Sequence, residues 1–191
     1  MIITELLAVL SIAAATGLRL ALPLLLIGLL SGEALWANVP VLANIPQALV
    51  VFFLVSWSVI ELTVSKDRIN RRFLQSIELF ISPFVGTMAG VAIARLTALQ
   101  ESWLIALVSI VGGLFALLIQ FVQVGWLYRL NPTPLWLICF EDILCICLVF
   151  FAFDAPNQGG LIALLLLWIA IRTSTAWRQW YVHHRGQQQP D

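Results

Sequence analysis

Two acidic residues stand side by side in an apolar run, Ile138-Cys139-Phe140-Glu141-Asp142-Ile143-Leu144. A carboxylate in such surroundings either handles a proton, an ion or a polar substrate, or is held in an ion pair by a cation from another segment. Neighbouring positions on a helix point about 100° apart. Glu141 and Asp142 therefore cannot both face one neighbour, and one can bind a partner while the other faces a cavity. Arg19 is a candidate cation, in Thr16-Gly17-Leu18-Arg19-Leu20-Ala21-Leu22-Pro23. Pro23 removes the hydrogen bond to the Arg19 carbonyl and crowds that turn. Two readings stand: an anion site or hinge beside a helix break, or a proline kink with Arg19 bonded to Glu141 or Asp142. Glu61, followed by Lys66, is a further acidic residue at the end of an apolar run, solvated or paired at an interface. Gln120 and Gln123, one turn apart, can line a polar path or bond between helices.

Enzyme chemistry finds no support. H-E-x-x-H, G-x-S-x-G, a Gly-rich phosphate loop and C-x-x-C are all absent. The histidines, His183 and His184, are adjacent near the C-terminal end, and no metal site or other cofactor is expected from them. Cys139, Cys145 and Cys147 share one apolar run and read as small packing residues, since thiols so close on one helix make poor disulfides.

The elements that must carry these residues follow from composition. Of 191 residues, 61% are hydrophobic and 10% charged, far from the ~45–50% and ~25% of soluble domains. The mean hydropathy is +0.99. A soluble fold of this length cannot hide so much apolar surface. The net charge is zero, and no nucleic-acid partner is implied. Six apolar runs approach the ~20 residues a bilayer crossing needs, at about 3–30, 46–64, 77–98, 102–128, 135–153 and 160–180. The expected fold is all-α: a polytopic membrane protein of about six transmembrane helices, the first kinked or broken near Gly17–Pro23. Residues 1–182 form one transmembrane domain and 183–191 a disordered cytoplasmic tail. Breakers mark the connections: Gly32 and Pro40, Asn131-Pro132-Thr133-Pro134, and 154–160, while Pro46 suits a helix start. Met1-Ile2-Ile3-Thr4-Glu5 lacks a basic segment, so no cleavable signal is expected.

Charge sets orientation. Lys66, Arg68, Arg71 and Arg72 follow span two, Arg129 follows span four, and Arg178 and Arg185 follow span six. The intervening loops hold at most Arg95. Both ends are therefore expected in the cytoplasm. Trp103, Trp136, Trp126, Tyr128, Trp177, Trp180 and Tyr181 fall at span ends, as interfacial belts do, whereas Trp57 and Trp168 lie inside spans without explanation. Ser82, Gly86, Gly90 and Ala94 make a small-residue ladder suited to close helix packing, against another span or a second subunit. Ala92-Ile93-Ala94-Arg95 and Ile169-Ala170-Ile171-Arg172 suggest two inverted three-helix halves.

Gly17-Leu18-Arg19 followed by Leu22-Pro23-Leu24-Leu25, Glu61 with Lys66, and Asn131-Pro132 ahead of Glu141-Asp142 together resemble an uncharacterised bacterial membrane family, DUF4126. The resemblance covers roughly residues 10–153 and implies a membrane fold without an established activity. The chain departs from that pattern late in span four, with Gln120 and Gln123 in place of basic or histidine residues, and after Lys66.

The leading expectation is a small ion or small-solute transporter or channel that uses its intramembrane carboxylates. The alternative is a non-transporting assembly factor or subunit of a larger membrane complex. The expected partners are the lipid bilayer and either further copies of the chain or other membrane proteins. The expected location is a bacterial-type inner membrane or another energy-transducing membrane.

Overall fold

A computed structural model describes residues 2–38, 46–64, 68–96, 102–129 and 135–186. Among them are seven helices and no strand: α1 (Ile2–Leu18), α2 (Ala21–Asn38), α3 (Gln47–Val64), α4 (Arg68–Leu96), α5 (Ser102–Arg129), α6 (Leu135–Asp154) and α7 (Pro156–Gly186). Two stretches are long and apolar enough to cross a membrane, Ser76–Arg95 in α4 and Ser102–Gly125 in α5. Ile3–Leu18 and Ala48–Ile60 are shorter apolar helices.

α1 is the axis of the bundle. Val9, Ile12, Ala13, Ala14, Ala15 and Thr16 are all fully buried, so every face of this helix is covered. Its small side chains let α4, α5, α6 and α7 approach one axis. The buried Thr16 hydroxyl donates to the Ile12 carbonyl one turn back, at 2.8 Å, and so needs no outside partner. The exterior is apolar instead: Phe52, Phe80, Phe84, Leu114, Phe121 and Leu161 all stand exposed.

The first apolar run is not one kinked helix. α1 closes its last turn with the Arg19 amide on the Ala15 carbonyl, at 3.0 Å. Arg19 and Leu20 are non-helical, and α2 begins at Ala21. Pro23 is thus the third residue of a new helix, where its missing N–H is one of the donors that would have no intrahelical partner anyway. Leu20, Ala21 and Leu24 share a small apolar cavity with Phe53, Leu54 and Trp57 of α3 and with Ile81 and Val85 of α4. α2 thus packs beside α3, α4 and α6 and turns back at Arg19–Leu20 rather than continuing the direction of α1.

The remaining directions follow from contacts along α1. It runs antiparallel to α6, because Ser11 meets Leu148 while Arg19 meets Asp142. It runs parallel to α5, because Val9 lies against Gly112 whereas Gly17 lies against Ala116 and Ile119, and parallel to α7, because Leu7 lies against Gly160 whereas Leu18 shares a cavity with Leu166, Ile169 and Thr173. The start of α1 and the end of α7 therefore lie at opposite ends of the bundle. The seven helices among the described residues do not divide evenly into two three-helix halves.

The α4–α5 seam is where the small-residue ladder acts, and its partner is internal. A methyl on Gly86 would lie 2.7 Å from Ala116 Cβ and 3.1 Å from Gly113 Cα. Gly90 approaches Ser109 Cα in the same way. Two further expectations shift by a few residues. Pro46 precedes α3, its carbonyl accepting from the Leu49 and Val50 amides. The connection placed at 154–160 shrinks to Ala155, with Pro156 opening α7. Gly159 and Gly160 are helical because they are packing residues, seated against Ser11 and Leu7.

Candidate functional site

Three polar contacts climb the α1–α6 interface. The Ser11 hydroxyl donates to the Leu148 carbonyl at 2.8 Å, the Cys145 thiol to the Ala15 carbonyl at 3.5 Å, and Arg19 Nε to Asp142 Oδ1 at 2.7 Å. Residues 11, 15 and 19 recur every four positions and 148, 145 and 142 every three, so one face of each helix carries all three. The last rung is an ion pair, with the Arg19 and Asp142 side chains 11% and 24% exposed. Arg19 also sits just past the last turn of α1, where terminal carbonyls favour a positive charge. Cys145 is buried, whereas Cys139 and Cys147 are exposed, and all three are free thiols.

Glu141 turns away from that interface. It lines a cavity of about 150 Å³ beneath the end of α1, together with Leu18, Gln123, Phe140, Ala170 and Thr173. The wall is otherwise apolar. Gln123 Oε1 is buried and has no hydrogen-bond partner among the described residues. The Thr173 hydroxyl donates to the Ile169 carbonyl at 2.7 Å and presents its oxygen as an acceptor. The polar groups of this cavity are a carboxyl, a carboxamide and a hydroxyl, so they offer oxygen acceptors together with the N–H donors of Gln123. Such a set can hold a cation or a small hydrogen-bonding solute.

Gln120, one turn before Gln123 on α5, faces a different neighbour. Its Nε2 lies 3.5 Å from Glu78 Oε2 on α4, and both residues are buried. Glu78 is not among the polar residues singled out from the sequence, although its signal is there, a lone carboxyl in Ser76-Ile77-Glu78-Leu79-Phe80. Ser11 was equally inconspicuous, because a serine in a helix announces nothing until its partner carbonyl is known.

The structure therefore brings Arg19 to Asp142 and Gln123 to Glu141, and it separates Gln120 from both by turning it towards α4. Glu61 lies on α3, and its side chain falls outside the described residues, as do Lys66 and the side chains of His183 and His184. Trp168 stacks beneath Arg172, whose guanidinium carbon lies 5.3 Å from the ring centroid. Trp57 lines the α2–α3–α4 cavity beside Phe53. Among the described residues, no three His, Cys, Asp or Glu side chains are grouped to hold a metal ion.

A family model matches residues 6–176. The chain belongs to the family described as Domain of unknown function (DUF4126). No curated protein and no solved structure matches it. The stretch shared with other DUF4126 proteins contains both polar groups in full: Arg19, Gln123, Glu141, Asp142 and Thr173 around the end of α1, and Glu78 with Gln120 between α4 and α5.

Proposed function

We propose that the chain is an integral membrane protein that passes a small cation, or a small solute rich in hydrogen-bond donors, through the bundle by way of Glu141. The observation that carries this reading is the cavity beneath Leu18, where Glu141 and the partnerless Gln123 Oε1 stand among apolar side chains. A charged side chain at mid-membrane costs roughly 2.5–3.5 kcal/mol. Asp142 offsets that cost by pairing with Arg19. Glu141 lies one position along and lines the cavity, so its carboxyl is placed to meet a solute there. Asp142 and Arg19 hold the helices, and Glu141 meets the solute.

The apolar exterior and the two membrane-length helices support placing the bundle in a bilayer. In the proposed arrangement all seven helices cross it. Arg68, Arg71 and Arg72 begin α4, Arg129 ends α5, and Arg178 and Arg185 lie late in α7, so these basic positions gather at one end. By the bias of positive residues towards the cytoplasm, that end is inside. The start of α1 is then outside and the end of α7 inside. A membrane-impermeant maleimide should label a cysteine placed at Ile3 in intact cells of a Cys139→Ser/Cys147→Ser background. A cysteine placed at Arg185 should react only after permeabilisation. Reaction of both only after permeabilisation would restore the six-span topology.

Transport itself is tested in proteoliposomes holding a pH-sensitive dye, with imposed sodium and potassium gradients. Purified chain should move cations faster than protein-free vesicles do. A hydrophobic carbodiimide, which modifies protonated carboxyls in apolar surroundings, should stop the flux and appear on Glu141 in peptide mass spectra. No flux, together with co-purification in fixed ratio with other membrane proteins, would replace transport by the assembly-subunit role.

A further inference from the structure

Trp168 serves neither the buried core nor the Glu141 cavity. It stands 59% exposed on the outside of α7, on one face with the exposed Leu161, Leu164, Leu165 and Ile171. This apolar stripe ends in a cation. Arg172, one turn after Trp168, is exposed too, and its guanidinium carbon lies 5.3 Å from the Trp168 ring centroid. Helical side chains lean towards the N-terminal end, and the ring holds the guanidinium in that direction, back over the stripe. Arg172 thus stands six residues, about 9 Å along the axis, short of Arg178. From Pro156 to Gly186, α7 contains no acidic residue. A guanidinium has five N–H donors in a planar fork, so a contact with one neighbour leaves others to offer.

We propose that Trp168 and Arg172 form a binding site for an anionic phospholipid of the phosphatidylglycerol class, with its phosphate on the Arg172 guanidinium and its acyl chains along Leu161, Leu164 and Leu165. The site rests on the bilayer placement proposed above, and in that arrangement the lipid belongs to the inner leaflet. A cation on an outer apolar face is costly in hydrocarbon, and a phosphate beside it lowers that cost. The planar fork of the guanidinium matches phosphate oxygens, and the hydrogen bonds between them are charge-assisted. A phospholipid complements both parts of the surface at once, an anion for the cation and chains for the stripe. Its net negative charge suits this end of α7, where the charged positions Arg172, Arg178 and Arg185 are all basic. Trp168 fixes the guanidinium in place, which a general attraction between basic residues and a membrane surface does not require.

The test is thermal unfolding of the purified full chain in mild detergent at fixed ionic strength, with phosphatidylglycerol, phosphatidylcholine or inorganic phosphate added. Phosphatidylglycerol should stabilise wild type saturably, as a ligand of the folded state does, and more than phosphatidylcholine at the same mole fraction. Inorganic phosphate should have no effect. Arg172→Gln should weaken the apparent affinity for phosphatidylglycerol roughly fivefold or more, and Trp168→Leu roughly twofold or more. Both side chains are exposed, so neither change disturbs the core. Arg95→Gln, at an exposed arginine near the end of α4, should keep the wild-type response. Equal stabilisation by phosphatidylcholine, an equal effect of inorganic phosphate, or a wild-type response in Arg172→Gln would overturn the site. So would an equal loss in Arg95→Gln, which would mean attraction to any surface cation. The measurement uses neither flux nor Glu141, and maleimide labelling tests the bilayer placement separately, so failure of this site is distinguishable from failure of the transport reading.

Discussion

Arg19→Ala is expected to lower the unfolding free energy by about 3 kcal/mol, because it strands the Asp142 carboxylate inside the bundle without its cation. The pair is close, at 2.7 Å, and the Arg19 side chain is only 11% exposed, so water cannot readily replace the guanidinium. The informative companion is Arg19→Met/Asp142→Leu, which removes both charges. Replacing a buried pair by apolar groups of similar size is often neutral or stabilising. The double variant should therefore recover most or all of what the single one loses. Thermal unfolding of the three proteins in one detergent measures it. If the double variant were as unstable as Arg19→Ala, the pair would have a role beyond neutralising its own charge.

Gly86→Val should be comparably damaging, at about 3 kcal/mol, through overpacking rather than charge. Its new Cβ would meet Ala116 Cβ at 2.7 Å and Gly113 Cα at 3.1 Å. Neither neighbour is a flexible side-chain end that can swing aside, so α4 and α5 must separate. Separation also pulls Glu78 from Gln120, which face each other across the same seam. Gly125, on α5, is the control, because nothing lies within 4 Å of a Cβ there. Gly125→Ala should leave stability unchanged or raise it by up to ~1 kcal/mol through helix propensity. Equal losses at both positions would contradict a close-packed seam.

The helical class and most element boundaries were legible because apolar runs and breakers are local signals. The interruption near Gly17–Pro23 was legible for the same reason. Its consequence was not. A proline three residues into a helix and a proline in the middle of one look alike in sequence, and only the packing of Leu20, Ala21 and Leu24 against α3 shows that the chain turns back. That single reversal moves the start of α1 to the opposite end of the bundle from the end of α7. The same logic separates the polar residues. Glu141 and Asp142 were conspicuous as charges in an apolar run, and helix geometry required them to diverge. Which of them faces Arg19 depends on the rotation of α6, which its uniformly apolar sequence does not encode. Glu78 escaped notice because its burial is conferred by α5, forty residues away in the chain.

The central claim is a division of labour: Asp142 holds the bundle through Arg19, and Glu141 meets the solute. The most direct measurement is cation flux in proteoliposomes for wild type, Glu141→Gln and Arg19→Met/Asp142→Leu, with the unfolding temperature of each determined in parallel. Glu141→Gln should unfold like wild type and carry no flux above protein-free vesicles, while the double variant should still conduct. Full flux in Glu141→Gln, or loss of flux in the double variant at unchanged stability, would contradict it.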